Sequence, residues 1–247
     1  MEIISLTNEK IKNLKKLQLK KYRDESNTFI VEGFHLVEEA FKAGLLKEVF
    51  LLSNVDYNQS IPKTIVSEKI MKHITELTSI PSIIGLCKKS DQQQVGNKVL
   101  VLDRIQDPGN LGTILRSASA FNIDTIVISD DSVDLYHPKV IRSTQGIFFN
   151  LNIIISNLEV ILPVFKKTHH IIGTDVNNGI DVSQYQFPEA FALIMGNEGS
   201  GINTDFQKLC SDFIYIKMNK TCESLNVAIA TSIILYEMNK RWKDEIN

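Results

Sequence analysis

The chain has 247 residues, of which 43% are hydrophobic, and a formal net charge of −2. This composition suits one large domain or two modest ones, and no stretch approaches the roughly 18–20 consecutive apolar residues of a membrane span. A basic start followed by an apolar run, as in a secretory signal, is missing from the first residues. The three widely spaced cysteines fit neither a disulfide framework nor a zinc ribbon, so we expect a cytoplasmic protein.

The first ninety or so residues have the pattern of a small α/β domain. Apolar residues at near-helical spacing from Leu6 to Leu17 predict a first helix, which residues 24–27 should end. The elements predicted after it are a strand at 29–31, a helix at 34–43, strands at 48–52 and 64–66, a helix capped by Ser67 and running to about 77, and a strand at 83–87. A polar, unpatterned stretch follows. We therefore divide the chain into a domain at 1–90, a linker at 91–97 and a domain at 98–247.

A basic cluster lies on the first predicted helix and just after it. Residues 10–23 contain seven Lys or Arg side chains and no acid. Such a stripe is typical of contacts with nucleic-acid phosphates, whereas an isolated lysine cluster is more often a solvated helix face. The candidate phosphate contacts are Lys12, Lys15, Lys16, Lys20 and Arg23.

The second domain alternates buried strands with helices. Its first strand, at 99–102, is a continuous apolar run, as a strand covered on both faces requires. The other predicted strands are 124–129, 151–155, 171–173, 191–195 and 213–216, and the predicted helices are 111–121, 137–145, 158–167 and 225–242. This alternation predicts an α/β fold with a parallel sheet and helices on both faces.

A glycine-rich segment follows one of these strands. Residues 196–201 read Gly-Asn-Glu-Gly-Ser-Gly. The spacing is not the G-x-G-x-x-G of a dinucleotide loop, and the carboxylate of Glu198 would repel a diphosphate. A positively charged sulfonium cofactor has no such conflict. Alone, the segment is as well explained by an ordinary turn.

Two further segments lie at predicted helix starts. Residues 110–116 read Asn-Leu-Gly-Thr-Ile-Leu-Arg, and residues 223–228 read Glu-Ser-Leu-Asn-Val-Ala. Asn110 is a plausible helix N-cap, and Arg116 by itself would be an ordinary surface charge. The five histidines show no metal-ligand spacing, so no metal site is predicted.

Together and in this order, the three segments resemble the motifs of the SpoU (TrmH-type) branch of the SPOUT RNA methyltransferases. The resemblance implies transfer of a methyl group from S-adenosylmethionine to a ribose 2′-hydroxyl, without a metal. It also implies a deep trefoil knot in the second domain, a homodimer, and a first domain similar to ribosomal-protein-like RNA-binding modules. This first domain makes ribosomal RNA the expected substrate. A transfer RNA methyltransferase and a non-catalytic RNA-binding or ribosome-assembly protein of the same fold are the alternatives.

The resemblance also implies site residues. The catalytic candidates are Asn110, Arg116, Glu198, Ser224 and Asn226. The candidates for holding S-adenosylmethionine are Thr174, Gly196, Asn197, Gly199, Ile216, Met218 and Leu225. The phosphate candidates in the basic cluster become RNA contacts. Because a guanidinium stays protonated, we expect Arg116 to stabilise the developing alkoxide or grip a phosphate, with Glu198 and Asn110 orienting it or the ribose.

The chain departs from the family pattern at three positions. Lys217 stands where proline is usual, and Lys220 and Asn122 stand where glycine is usual. The change at Lys220 concerns the loop beside the cofactor, because glycine often supplies a positive φ. Asparagine tolerates that conformation better than most residues, so the departure at Asn122 matters less.

Overall fold

A computed structural model describes residues 2–90, 94–176, 178–219 and 221–244. Two units make up the chain: Met1–Asp91 with Asp134–Asn150, and Gln92–Val133 with Leu151–Asn247. The segment Asp134–Asn150, which the predicted division assigns to the second domain, thus belongs with the first unit. Residues 91–93 of the predicted linker 91–97 lie outside the described residues.

Twelve strands, nine α-helices and one 3-10 helix are formed by the described residues. In order they are β1 (Glu2–Ile3), α1 (Glu9–Lys16), α2 (Lys20–Ser26), β2 (Thr28–Glu32), α3 (Phe34–Lys42), β3 (Leu46–Leu51), β4 (Lys63–Val66), α4 (Glu68–Ile74), β5 (Ile83–Lys88), β6 (Lys98–Leu102), α5 (Pro108–Ala120), β7 (Thr125–Ser129), α6 (Pro138–Thr144), a 3-10 helix (Ile147–Asn150), β8 (Ile153–Ser156), α7 (Leu158–Phe165), β9 (His170–Thr174), β10 (Ile180–Asp181), β11 (Phe191–Met195), α8 (Thr204–Gln207), β12 (Asp212–Tyr215) and α9 (Val227–Asp244).

The first unit contains a five-stranded mixed sheet in the order β1-β4-β3-β5-β2. β1, β4 and β3 run parallel, and β5 runs antiparallel to both β3 and β2. Ile11 and Leu14 of α1 pack with Ile70 and Met71 of α4 in the core on one side of this sheet. Ser67 precedes α4 as predicted, but its side chain makes no capping hydrogen bond.

The start of the first unit differs from its prediction, because two helices replace one. α1 ends at Lys16, and α2 ends at Ser26, within the range 24–27 where the single helix was expected to end. Arg23 explains the turn between them: its Nη1 donates to the carbonyl oxygens of Leu17 and Gln18, each at 2.7 Å. Carbonyls at the end of a helix lack partners within it, so this side chain satisfies the end of α1 from the next helix.

Aromatic packing explains why Asp134–Asn150 joins the first unit. The ring of Phe29 on β2 lies 4.8 Å from that of Tyr136 and 5.9 Å from that of Phe148. All three side chains are buried. Such rings contribute large apolar areas, so this segment completes a core that β2 begins.

The second unit contains a seven-stranded sheet in the order β10-β12-β9-β11-β6-β7-β8, and all its described pairs are parallel. The predicted parallel α/β sheet is confirmed. β6 and β11 lie at its centre and are almost fully buried, as their unbroken apolar runs indicate. α5 and α9 pack together, with the hydroxyls of Ser117 and Ser232 2.7 Å apart.

The trefoil knot stays a prediction, because strand order and register do not specify how the loops thread. Within the described ranges, no helix combines the length and the apolar content that crossing a membrane would require.

Candidate active site

The sheet of the second unit gathers the predicted cofactor residues at one edge. β9 ends at Thr174, and Gly196 and Ile216 directly follow β11 and β12. These three strands are neighbours in the order β12-β9-β11 and are parallel, so their carboxyl ends meet at the same edge. The Thr174 hydroxyl donates to the carbonyl of Ile194 at 3.1 Å, which ties two of the strand ends together.

Residues 196–201 form a tightly closed loop at that edge. The backbones of Asn197 and Gly201 exchange two hydrogen bonds of 3.0 Å. The Asn197 side-chain oxygen accepts from the N–H groups of Gly199 (3.0 Å) and Ser200 (3.1 Å) inside the loop. A Cβ at Gly196 would collide with the backbone of Gly201, and Gly201 itself has a φ of 67°. Glycine is therefore required at both positions.

A second loop, directly after β6, supports the first. The fully buried Asp103 carboxylate accepts hydrogen bonds from the Arg104 guanidinium at 2.8 and 3.0 Å and from the N–H of Asn203 at 2.8 Å. Arg104 has a φ of 55°, unusual for a residue with a side chain, and its carbonyl accepts from the Asn197 side chain at 2.7 Å. Sequence reasoning missed both residues. An aspartate directly after a buried apolar strand was the available signal.

Three of the predicted catalytic side chains form one hydrogen-bonded chain, hereafter the site network. Asn226 Nδ2 donates to Asn110 Oδ1 at 2.9 Å, and Asn110 Nδ2 donates to Glu198 Oε1 at 3.0 Å. Asn226 Oδ1 accepts from the N–H groups of Ala228 (2.9 Å) and Ile229 (3.3 Å) in the first turn of α9. The network therefore fixes the orientation of both amides and joins the three motifs.

The Glu198 carboxylate is exposed but well supplied with donors. Besides Asn110, it accepts from the backbone N–H groups of Gln106 (3.3 Å) and Asp107 (3.2 Å). Partial burial raises the pKa of Glu198, but these hydrogen bonds outweigh it and hold the pKa below the usual glutamate value. The residue is thus ionised across the neutral range.

The structure corrects the role of Asn110 at the start of α5. Asp107 is the N-cap, its side chain accepts from the N–H of Asn110 at 2.8 Å, and Pro108 begins the helix. Proline suits this position because its missing N–H would have no partner there. With the cap supplied by Asp107, the Asn110 side chain is available to the site network.

Arg116 lies on the exposed surface of α5, six residues beyond Asn110. Among the described residues, none forms a hydrogen bond or ion pair with its guanidinium. Glu198 and Asn110 bond to each other rather than to Arg116, so the expectation that they orient this arginine is not met within the chain. The guanidinium keeps all its donors for another molecule.

The third motif forms the remaining wall. Ser224 is exposed and Leu225 and Met218 are half-buried, so backbone and apolar surface are both available there. Lys217 is exposed. Lys220, which stands where the family has glycine in this loop, lies outside the described residues. Asn122, at another position of departure, has a φ of 57°, a conformation that asparagine tolerates.

The charges of the segments 196–201 and 223–228 suit a cationic ligand, while the exposed Lys217 after β12 is basic. Glu198 and Glu223 are the charged residues of the segments 196–201 and 223–228, and both are acidic. A diphosphate would meet repulsion here, whereas the sulfonium and amino groups of S-adenosylmethionine would not. Among the described residues, no group of three or more His, Cys, Asp or Glu side chains is placed to hold a metal ion.

The residues of the basic cluster in the first unit differ in their exposure to solvent. Lys12, Lys16 and Lys20 are exposed and Lys15 is half-buried, so these four are accessible to RNA. Arg23 is not, because its side chain is 3% exposed and donates to the carboxylate of Asp134. The assignment of Arg23 to RNA contact is therefore wrong, and its role is structural.

Comparisons with known proteins cover both units. The SpoU rRNA Methylase family matches residues 97–236, and the MRM3-like substrate binding domain matches residues 8–85. The chain is 35% identical over 244 residues to the 23S rRNA (guanosine(2553)-2′-O)-methyltransferase RlmP of Bacillus subtilis (strain 168). This alignment covers 96% of the chain and 98% of that protein.

Solved structures agree over the same length. An AdoMet-bound rRNA methyltransferase from Sinorhizobium meliloti superposes with a TM-score of 0.85 at 27% identity, covering 98% of each chain. A putative RNA methyltransferase of the TrmH family from Porphyromonas gingivalis superposes with a TM-score of 0.87 at 28% identity, covering 96% of this chain and 99% of that one.

Proposed function

The chain belongs to the SpoU rRNA methylase family, and on that premise we propose that it transfers a methyl group from S-adenosylmethionine to a ribose 2′-hydroxyl of ribosomal RNA. The observation that carries this proposal is the site network, which links the three motifs at the carboxyl edge of the parallel sheet. Ligands bind at this edge in open α/β sheets. Oriented amides and a carboxylate at this edge provide the fixed donors and acceptors that alignment of a substrate requires.

The cofactor is held by the strand ends and loops of this edge. We assign its contacts to Thr174, Gly196, Asn197, Gly199, Ile216, Met218 and Leu225, chiefly through backbone groups. When bound, S-adenosylmethionine supplies an activated methyl group on a sulfonium. The closed loop at 196–201 and its support from Asp103 and Arg104 keep the wall rigid, which limits the entropy lost on binding.

The reacting groups must be aligned as the methyl–sulfur bond breaks and the methyl–oxygen bond forms, leaving S-adenosylhomocysteine, and the hydroxyl proton passes to solvent water. Asn110, Glu198, Ser224 and Asn226 provide donors and acceptors that can orient a ribose beside the cofactor wall. Glu198, ionised at neutral pH, accepts hydrogen bonds and favours the cationic form of the cofactor over its neutral product. The protein thereby stabilises the arrangement from which the 2′-oxygen attacks.

Arg116 acts on the RNA side. Its exposed guanidinium can form two parallel hydrogen bonds with a phosphate or meet the developing alkoxide. Both actions stabilise negative charge that belongs to the substrate, so cofactor affinity does not depend on this residue.

The first unit selects the RNA. Its match to a substrate-binding domain and the exposed Lys12, Lys15, Lys16 and Lys20 support this role. The relative from Bacillus subtilis methylates guanosine 2553 of 23S rRNA according to its name, and the two proteins align over nearly their whole lengths. The equivalent guanosine is therefore the first target to test.

The functional form is a homodimer in the cytoplasm. α9 presents Ile229 and Tyr236, which are 53% and 52% exposed, and apolar surface of this kind favours a subunit interface. The cysteines Cys87, Cys210 and Cys222 are free thiols, which suits a reducing compartment. Arg116 has no hydrogen-bond or ion-pair partner among the described residues of its own chain. This is compatible with a role for Arg116 in the active site of the other subunit.

Calorimetry tests cofactor binding directly. We expect S-adenosylmethionine and S-adenosylhomocysteine to bind at one site per chain, with NAD and ATP much weaker. Tight NAD binding with no response to S-adenosylhomocysteine would overturn the proposal.

Mapping of ribose methylation tests the substrate. Total RNA from cells with and without the gene should differ at one 2′-O-methylated position in 23S rRNA, and the purified protein should restore it. A difference confined to transfer RNA would show that the substrate is transfer RNA rather than ribosomal RNA. Cofactor binding without any RNA methylation would favour a non-catalytic role.

A further inference from the structure

The first unit has a cleft that the methyl-transfer site does not use. It lies between the α1–α2 segment and the sheet, and its volume is about 520 Å³. Specific small-molecule pockets have volumes of roughly 300–1,000 Å³, so a single nucleoside fits well within it. All its lining residues belong to the first unit.

The floor of the cleft is apolar and rigid. Leu14, Leu17 and Phe50 are among its lining residues, and their side chains are 3%, 5% and 1% exposed. Tyr22 forms part of the wall and is half-buried. An aromatic ring beside an apolar floor offers the surface against which an unstacked base is held in RNA recognition.

The rim is polar and carries charges of both signs, with Lys10 and Lys16 beside Glu25 and Glu48. Lys10, Lys16 and Asn13 line it, and the Lys16 ammonium lies 5.7 Å from the centroid of the Tyr22 ring. An interaction of this kind at an exposed lysine is weak beside the stacking of a base on the same ring. A base that stacks on the Tyr22 ring would therefore displace the Lys16 ammonium from it. The ammonium could then bind the phosphate of the same nucleotide.

The cleft also offers hydrogen bonds to a base edge. Glu48 Oε1 accepts from Lys10 Nζ at 2.7 Å and from the Thr64 hydroxyl at 2.5 Å. Its other oxygen accepts no hydrogen bond from a described residue. Lys10 pairs with this carboxylate and Lys21 lies 3.8 Å from that of Glu25, so each acid of the rim has a lysine beside it. The open oxygen of Glu48 and the Asn13 amide can meet donors and acceptors of a base.

We propose that this cleft, hereafter the base cleft, receives one unpaired nucleotide of the substrate RNA, with the base on Tyr22 and the phosphate on Lys16. The base cleft rests on the proposed function, because it presumes an RNA substrate. It adds recognition of a single extruded base to the general attraction of the lysines. The target must then carry an unpaired loop or bulge nucleotide in addition to the methylated one.

An abasic scan tests the base cleft. The probe is a synthetic 23S rRNA fragment that the wild-type protein methylates, with one base removed at a time. Alanine replacement of a stacking aromatic weakens binding by roughly 5- to 150-fold per base. Tyr22→Ala should weaken RNA binding within this range, and one abasic position should cause the same loss in the wild type. At that position the two changes together should be no worse than either alone.

Two further variants complete the test. Tyr22→Phe keeps the ring and should bind RNA like the wild type, so it is the matched control. Asn13→Trp fills the mouth from an exposed helix position and should reproduce the Tyr22→Ala loss without disturbing the fold. S-adenosylhomocysteine affinity should be unchanged in all three variants. Tyr22 packs against the core, so Tyr22→Ala should lower the melting temperature, and RNA binding is measured well below it.

The outcomes separate the two proposals. A wild-type protein that methylates the fragment, while no abasic position is coupled to Tyr22, would overturn the base cleft and leave the proposed function intact. Equal losses for Tyr22→Phe and Tyr22→Ala would also overturn it, because the ring is kept in one of them. Failure of the wild type to methylate any ribosomal RNA would overturn both.

Discussion

At the scale of single residues, Arg116 and Asn110 show how position changes the meaning of a side chain. They lie on the same helix, yet Asn110 is held between Asn226 and Glu198 while Arg116 is exposed and unbonded within the described chain. A residue with fixed partners orients a substrate, whereas a charge without partners is available to bind one. The two residues should therefore respond differently to substitution.

Arg116→Ala should nearly abolish methyl transfer and leave cofactor binding intact. Loss of one donor that stabilises a developing anion typically lowers the rate by about 10²–10³-fold. Arg116→Lys should also be poor, because one ammonium cannot reproduce the two-pronged geometry. Single-turnover rates and calorimetry with S-adenosylhomocysteine measure the two effects. Near-normal rates in both variants would remove Arg116 from the mechanism.

Glu198 should give the protein an acid-sensitive component of stability. Because its pKa is lowered in the folded state, its ionised form is favoured by folding. This contribution is fully present above the unfolded value of about 4.3 and is lost as the pH falls through the lower folded pKa. The difference in unfolding free energy between wild type and Glu198→Gln should thus shrink in acid. Urea denaturation between neutral pH and the acid range measures it, and a constant difference would contradict the assignment.

At the scale of elements, α1 has two chemically different faces. Ile11 and Leu14 are buried in the core, while Lys12 and Lys16 are exposed. The exposed face carries both the lysines for phosphate binding and part of the rim of the base cleft. This element therefore joins non-specific attraction to recognition of one base.

Replacing Lys12, Lys15 and Lys16 with Gln should weaken RNA binding and flatten its salt dependence. For each phosphate that is no longer bound, the slope of log affinity against log salt should fall by about 0.9 on a duplex and about 0.7 on a single strand. Replacing Lys42, Lys69 and Lys72 with Gln changes the net charge equally on α3 and α4 and serves as the control. Equal slopes for the two triple variants would mean that the lysines of α1 do not bind phosphates specifically.

At the scale of the whole molecule, interactions between distant parts of the chain define the units. Arg23 and Asp134 are 111 residues apart, yet they form a buried ion pair within the first unit. This ion pair explains why the segment Asp134–Asn150 packs in the first unit, although residues on both sides of it in the sequence belong to the second unit. The arginine also holds the end of α1 through Leu17 and Gln18.

Arg23→Ala should destabilise the protein strongly. Removing one partner of a buried ion pair typically costs about 3–5 kcal/mol, and here it also removes the donor of the Leu17 and Gln18 carbonyls. Lys20→Ala, in the same basic cluster but exposed, should leave the unfolding free energy nearly unchanged. Urea denaturation of both variants measures this. Equal unfolding free energies for the two variants would contradict the structural role of Arg23 and make it a candidate RNA contact again.

Local patterns allowed much of this protein to be predicted. The apolar runs of β6, β7 and β11 and the helices between them follow from periodicity, which reports whether a segment is buried on one face or on both. The three motifs also stand where strands or loops meet helices, so the carboxyl edge of the sheet was the expected place for the site. The positive φ of Asn122 agrees with the glycine that the family has at this position and with asparagine's tolerance of that conformation.

The sequence by itself thus determined the class of sheet and which segments bear chemistry. Only the tertiary structure decided which side chains meet. The bonds Asn110–Glu198 and Asn226–Asn110 join residues 88 and 116 positions apart, and the burial of Arg23 depends on Asp134. Periodicity and capping rules describe neighbours within a few positions, so they named Asn110 as a cap and Arg23 as an exposed cation. Partners brought together by folding from opposite parts of the chain gave both residues other roles.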